Sequence, residues 1–252
     1  MNQQQRQDAI IELVRSQGYA SIEQLTDHFT VTPQTIRRDL NTLSAEGRIR
    51  RVHGGASLES STVNTAYSTR KTLNLEAKQR IAALLARHIP NHSSLFINIG
   101  TSNEVVAEAL LDHHGLEVIT NNLNVAAILQ HKEDFNVIIA GGQVRSRDGG
   151  IIGEAAIDFI NQFKVDYGII GISGIDEDGS LLEFDYQEVR VAQAIIHNSR
   201  KVFLATDHSK FQRNPVVRQG NLTQLDALFT DRQPPDTILR LLNQHDVTLH
   251  IA

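Results

Sequence analysis

Residues 32–43 read TPQTIRRDLNTL, and the way this stretch folds decides the architecture around it. Thr32 followed by Pro33 is a helix start: a threonine oxygen accepts from an N–H of the first turn, and a proline at the first helical position gives up an N–H that has no partner there. At about 100° per residue, Ile36, Leu40 and Leu43 fall in one stripe that must face a core. The opposite side of the same wheel carries Gln34, Arg38 and Asn41, with Thr35 and Arg37 flanking them near the N-terminal end. Arginine forks onto guanine, amides pair with adenine, and hydroxyl and guanidinium groups hold phosphate. The segment is therefore expected to be a recognition helix that turns Thr32, Gln34, Thr35, Arg37, Arg38 and Asn41 toward DNA.

Two helices are expected before it. Ala9, Ile10, Leu13 and Val14 recur at helical spacing, with Gly18 where a C-terminal cap belongs. Ser21, with Gln24 three residues on, opens a second helix that buries Ile22, Leu25 and Phe29. After the recognition helix, RIRRVHGGA (48–56) reads as a short strand ending in a Gly54–Gly55 turn. This is the wing of a winged helix-turn-helix, with Arg48, Arg50 and Arg51 near the phosphate backbone. A solvated basic face on a three-helix cap is the plainer alternative, but the caps, the short turn, the polar helix face and the basic strand agree on DNA. Charge points the same way. The chain carries a net −5, yet its first 56 residues hold seven arginines against six acids, and five of the seven fall between 37 and 51. A basic stripe on an acidic protein is an electrostatic footprint.

A length of 252 residues suits one small and one large domain, and 40% hydrophobic with 21% charged residues fits a soluble globular chain. The absence of cysteine excludes a disulfide framework and a thiolate metal site and fits a reducing compartment. The eleven histidines lack metal-site spacing, and His113 and His114 read as surface imidazoles in a helix-to-strand turn. The start MNQQQRQD lacks the basic and apolar parts of a signal peptide, and no apolar run approaches the roughly 18 residues of a membrane helix. A cytoplasmic protein with no membrane partner, metal or cofactor is expected.

Residues 1–57 are assigned to the DNA-binding domain, the Ser/Thr-rich 58–73 to a linker, and 74–252 to a second domain. In the last, a helix is expected around 76–88. Strands are expected at LFINIG, LEVIT, FNVIIAGG, YGIIGIS, KVFLATD, ALFTD and VTLHIA, with helical segments between most of them. This alternation implies an α/β domain with a mainly parallel sheet, which binds ligands at the carboxyl ends of its strands. The loops there carry suitable groups for a small polyhydroxy phosphate. Gly100, Thr101 and Ser102 open a helix whose free N–H groups suit an anion; the plainer alternative is that Thr101 or Ser102 serves only as an N-cap. Asn121, Asn122, Gly141, Gly142, Arg145, Asp176 and Lys210 follow on the loops after later strands, and Glu183 lies just beyond. DEDG fails as a calcium loop, and there is neither a Walker loop nor a GxGxxG fingerprint.

VTPQTIRRDLN followed by HGGA resembles the DNA-binding signature of the DeoR-type bacterial repressors. The resemblance continues through LFINIGTS, TNNLNVA, IIAGG, RSRDGGIIGEAAIDFI, GISGIDEDGSLLEFDYQEVR and DHSKF, over nearly the entire chain. It implies an effector domain like the sugar-phosphate isomerases and a repressor bound to double-stranded operator DNA. It further implies release by glycerol 3-phosphate and a homo-oligomer, with a tetramer the expected size. Asn98 stands where the family usually has aspartate, and GTS replaces GTT; Ser102 keeps the hydroxyl, while Asn98 removes a charge. Two alternatives remain: a repressor answering another sugar phosphate, and an isomerase using Asp176, Glu183 or Asp185 as its base.

Overall fold

The computed structural model describes residues 2–17, 19–52, 54–57 and 62–252. Gly18, expected to cap the first helix, His53 of the wing and residues 58–61 of the expected linker lie outside the described residues. The chain divides into two compact units, 1–73 and 74–252.

The first unit runs α1 (Gln3–Gln17), β1 (Tyr19–Ser21), α2 (Ile22–Phe29), α3 (Pro33–Ala45), β2 (Arg50–Val52), β3 (Gly55–Ser57) and α4 (Tyr67–Thr72). Ile10, Val14, Leu25, Ile36, Leu40 and Leu43 form its core with no exposure at all. Ser21 and Gln24 cap α2 reciprocally, the Ser21 hydroxyl accepting from the Gln24 N–H and the Gln24 amide oxygen from the Ser21 N–H, each at 3.0 Å. Between α2 and α3 the chain turns through Thr30 at φ 52°, a left-handed position more often given to glycine. The wing is a three-stranded antiparallel sheet in the order β1-β3-β2 rather than one strand and a turn. β1 comes so close to β3 that a Cβ on Gly55 would lie 2.2 Å from the Ala20 carbonyl oxygen, so glycine is required there. Within the segment read as linker, α4 forms with no buried residue, and hence with no apolar stripe to announce it.

The second unit continues α5 (Leu75–Ala86), β4 (Ser94–Ile97), α6 (Thr101–Ala109), β5 (Glu117–Thr120), α7 (Leu123–Leu129), β6 (Asn136–Ile139), β7 (Gln143–Arg145), β8 (Gly150–Ile152) and α8 (Glu154–Ile160). β9 (Val165–Ile170), β10 (Gly174–Ile175), β11 (Ser180–Glu183), α9 (Tyr186–His197), β12 (Ser199–Ala205), β13 (Val217–Asn221), β14 (Ala227–Thr230), α10 (Asp236–Gln244) and β15 (Thr248–Ile251) complete it. The seven strands expected from the sequence are the seven strands of one all-parallel sheet, ordered β15-β14-β12-β9-β4-β5-β6. Alternate residues feed two cores: Leu95 and Ile97 of β4 enter one and Phe96 the other, as a sheet covered on both faces requires.

From β4 the chain winds through β5 and β6 to one edge, then returns to β9 and winds through β12, β14 and β15 to the other. The switch point therefore lies between β4 and β9, and the carboxyl ends of these two strands are where such a sheet opens a ligand crevice. Two stretches read as loops are hairpins instead. β7 pairs with β8, and β10 pairs with β11, which in turn pairs with β13. Glycine and polar residues within these strands leave no apolar run to announce them. The DEDG segment is the tight turn of the second hairpin, with Gly179 at φ 80°. His114 is exposed, but His113 is not a surface imidazole: it is partly buried, with Nε2 2.9 and 3.1 Å from the carbonyls of Ile89 and Ala86. No helix among the described residues is long and apolar enough to cross a membrane.

Candidate DNA interface and effector site

The recognition helix is positioned from beneath by a buried ion pair. Asp39 lies on α3 with 1% exposure, and its carboxylate accepts from Arg6 Nε at 2.6 Å and from the Gln7 amide at 3.4 Å, both on α1. One of the two acids that punctuate the arginine-rich stretch is thus withdrawn from the surface, together with Arg6. On that face Gln34, Arg37, Arg38 and Asn41 are exposed, and neither Arg37 nor Arg38 forms an ion pair among the described residues. Thr32 caps the helix, its hydroxyl accepting from the Thr35 N–H at 3.3 Å and lying 3.0 Å from the Thr35 hydroxyl. Those two threonines are committed to the cap.

The wing arginines are distributed differently. Arg51 donates to Asn41 Oδ1 at 2.5 Å and to the Arg37 carbonyl at 3.4 Å, which fixes the wing to the outward face of α3. Arg48 pairs with Asp8 at 2.8 Å and more loosely with Glu46, all exposed. Exposed pairs of this kind contribute little, so Arg48 exchanges a weak partner readily.

At the switch point of the second unit, Gly100 is the N-cap of α6 at φ 137°, and no side chain caps the helix. Neither Thr101 nor Ser102 performs that task. The start of α6 thus receives no bond from a capping side chain, and it presents the positive end of the helix dipole. The Thr101 hydroxyl instead accepts from Lys78 Nζ at 3.2 Å, both side chains being buried. Lys78 sits in the apolar face of α5 among Ala77, Ile81, Ala82 and Leu85. The sequence reading passed over it, although a lysine inside an otherwise apolar stripe is a visible signal.

Asp207, just beyond β12, is 2% exposed. Burial alone would raise its pKa, but the charge of Lys210, the hydroxyl and N–H of Ser209 and the charge of Lys78 outweigh that and hold it below the usual range. Asn74 donates to the same carboxylate at 2.9 Å. Glu183, at the end of β11, behaves oppositely: burial first and the neighbouring charge of Glu188 second push it up to about 7, against a bond from Ser173 and the charge of Lys210. Glu188 reaches Arg145 at 2.7 Å. The charges of Lys78 and Lys210 thus act on Asp207, that of Lys210 also on Glu183, and Glu188 stands between Glu183 and Arg145 in this electrostatic sequence.

Arg145 is spent within the protein. Its guanidinium donates to both oxygens of Asp148 at 2.8 Å and to Asp185 at 2.9 Å, besides Glu188, and so fastens the β7–β8 hairpin to the start of α9. Arg147 adds a second bond to Asp185 at 2.9 Å. Asn121 donates to the Ile151 carbonyl, and its own Oδ1 is buried with no partner among the described residues, while Asn122 caps α7 and reaches Glu104 at 3.4 Å. Gly142, at φ 150°, packs where a Cβ would lie 3.0 Å from Ile151 and from the Ile152 carbonyl, whereas Gly141 is open. Asp176 accepts from the Glu177 N–H within its own hairpin turn. Among the described residues, no three histidine or acidic side chains gather as a metal site.

Two family models match the chain: a DeoR-like helix-turn-helix domain over residues 6–62 and a DeoR C-terminal sensor domain over residues 73–232. The chain is 58% identical to the glycerol-3-phosphate regulon repressor of Escherichia coli strain K12 over 252 residues, covering 100% of both chains. It is 50% identical to the protein of that name from Haemophilus influenzae over 244 residues, 97% of this chain and 95% of that one. Identity is 41% to the Escherichia coli HTH-type transcriptional repressor CsqR, over 97% of this chain and 94% of that one. Among solved structures, a ribose 5-phosphate isomerase A from Neisseria gonorrhoeae has a TM-score of 0.39 and 13% identity, over 53% of this chain and 52% of that one. That likeness is too distant to carry an argument.

Proposed function

The chain belongs to the DeoR family, and from that premise we propose that it is a DNA-binding transcriptional repressor of glycerol 3-phosphate metabolism genes, released from its operator by glycerol 3-phosphate. The observation that carries this reading is the end-to-end match, at 58% identity, with a relative named for that regulon. It is a cytoplasmic regulator rather than an enzyme, and it acts as a homo-oligomer, with a tetramer the expected size. Two-fold related recognition helices then suit near-palindromic half-sites about 34–36 Å apart or a multiple of that.

Several features support the assignment of roles. Arg37 and Arg38, with no ion pair among the described residues, and Gln34 suit base edges and phosphates, and the wing arginines suit the flanking backbone. In the sensor unit, the uncapped α6 start with Gly100, Thr101 and Ser102 suits the phosphate, with Lys210 nearby as a cation. Arg145 is assigned to fastening the hairpin rather than to the ligand, because three carboxylates already hold it. Asn121, whose buried Oδ1 has no partner among the described residues, suits a hydroxyl of the effector. No chemistry is required: an effector that binds the DNA-incompetent arrangement more tightly shifts the population toward it.

The test is an electrophoretic mobility shift with promoter DNA from glycerol 3-phosphate metabolism genes, titrated separately with glycerol 3-phosphate, with glycerol and with a hexose phosphate. The phosphate ester is expected to release the DNA and glycerol to leave it bound. Release by glycerol alone, or by a hexose phosphate in preference, overturns the effector assignment.

A further inference from the structure

A bulge in β13 sets a glutamine amide beside a pocket at the other end of the sensor unit from the β4–β9 crevice. β13 pairs with β11 by matching Gly220 to Leu181 and Arg218 to Leu182, so Gln219 is an extra residue with no opposite number. A bulge of this kind re-aims the side chain it carries. The Gln219 carbonyl accepts from the Gln193 amide of α9 at 3.1 Å. Its side chain fares differently: Gln219 is 2% exposed, and Nε2 is buried with no acceptor among the described residues. A donor in that position has given up its bonds to water without replacing them, which is costly. Gln219 lines a pocket of about 530 Å³ between β13 and the end of α9, at Gln193, Ile196 and His197. Small-molecule sites occupy about 300–1,000 Å³. Lys164 Nζ donates to the His197 carbonyl at 2.7 Å, and the Val165 N–H to the Asn198 carbonyl at 3.0 Å. These bonds set the end of α9 beside the amino end of β9, opposite the carboxyl ends where the crevice opens.

We propose that this pocket is a second binding site of the sensor unit and that it takes a small carboxylate. No acid is among its lining residues, and its polar groups are those of Gln193, His197, Arg218, Gln219 and Gln224. Gln224 commits its Oε1 to the Asn221 N–H at 2.8 Å, so what it offers a ligand is its NH2 group. Arg218 meets Asp178 only at 3.8 Å, both side chains being exposed, and gives up that contact readily. The pocket therefore presents donors and positive charge. A planar carboxylate accepts from an arginine fork and from an amide at once, while Ile196 receives its carbon skeleton. Gln193 and Gln224 are exposed, flexible side chains that turn to let a carboxylate oxygen reach Gln219 Nε2. Gln219 thereby gains the acceptor that the described residues do not supply.

The experiment titrates pyruvate, succinate, citrate and, separately, inorganic phosphate into the full-length protein by calorimetry, with and without glycerol 3-phosphate, beside melting curves. At least one carboxylate is expected to bind at millimolar concentration or below and to raise the melting temperature, whether or not glycerol 3-phosphate is present. Gln219→Leu keeps the volume and removes the buried donor. It is expected to lose about tenfold in carboxylate affinity, as the loss of a hydrogen bond to a charged group implies. Arg218→Gln, at an exposed position, is expected to lose about as much for the same reason, and it serves alone if the leucine variant fails to fold. Both variants keep the parental affinity for glycerol 3-phosphate. The proposal is overturned if no carboxylate binds, if the folded variants bind carboxylate like the parent, or if carboxylate and glycerol 3-phosphate compete. Tighter binding of inorganic phosphate than of every carboxylate overturns the ligand class. Variants that change the sedimentation velocity and not ligand affinity mark this face as a contact between copies of the chain, which also overturns the proposal.

Discussion

Replacing Asp39 with alanine tests whether α3 is held in place from beneath. The carboxylate side chain is 2% exposed and its partner Arg6 12%, at 2.6 Å. Removing one partner of a buried ion pair costs about 3–5 kcal/mol, because the other is left uncompensated. Arg6 retains a little exposure and can turn partly toward water, so the lower end, about 3 kcal/mol, is expected. The Gln7 amide loses its acceptor as well. Small domains have only about 5–15 kcal/mol in total, so the first unit should unfold well before the second. Urea denaturation followed by far-ultraviolet circular dichroism reads this as an early transition, with operator binding lost at the same urea concentration and glycerol 3-phosphate affinity unchanged. Replacing the whole pair, Arg6→Met with Asp39→Leu, should restore stability, since apolar residues of similar volume substitute well for buried ion pairs. A loss below about 1 kcal/mol for Asp39→Ala, or a double variant no more stable than the single one, refutes the reasoning.

Arg38→Ala should weaken specific operator binding by about 1–3 kcal/mol, most at one operator position, whereas Arg37→Ala should weaken it more evenly and lower the salt dependence, as gel-shift titrations on operator variants will show. Changing Thr101 and Ser102 together to alanine should reduce glycerol 3-phosphate affinity without the 0.5–2 kcal/mol loss of a cap, because Gly100 occupies the cap position; a lowered melting temperature with unchanged affinity refutes it. Glu183 has a folded pKa raised from 4.5 to about 7, so the folded state holds its proton more tightly and this residue's contribution falls as pH rises through that window. Glu183→Gln should therefore exceed the parent in stability by about 2–3 kcal/mol at pH 8 and match it near pH 4, measured by chemical denaturation at the two values.

Periodicity made the frame legible. Seven apolar runs bounded by polar loops became the seven parallel strands, and Ser21, Thr32 and Pro33 marked the starts of two helices. The short strands β1, β3, β7, β8, β10, β11 and β13 were not visible, because glycine, serine and other polar residues within them leave no apolar run, and they form only when a partner strand supplies the hydrogen bonds. Pairings across long separations were equally hidden. Asp39 reads as a surface acid until Arg6, 33 residues earlier, is found beneath it. Arg145 reads as a ligand cation until Asp185, 40 residues later, is seen to bind it. Residue type narrows what a side chain can do, and tertiary partners decide which of those things it does.

The position of β4 inside the sheet, beside the central strand β9, has a consequence for synthesis. Its neighbour on one side, β5, follows closely, but β9 on the other is distant: Ser94 bonds to Asp166, 72 residues further along. At about 5–20 residues per second, roughly 4–14 s pass on the ribosome before β4 can acquire that neighbour. The helices of the first unit close through nearby contacts and need no such wait. A nascent chain therefore carries a finished DNA-binding module before the sensor can exist. Its half-built sheet meanwhile exposes Leu95, Phe96 and Ile97 to chaperones or to other nascent chains.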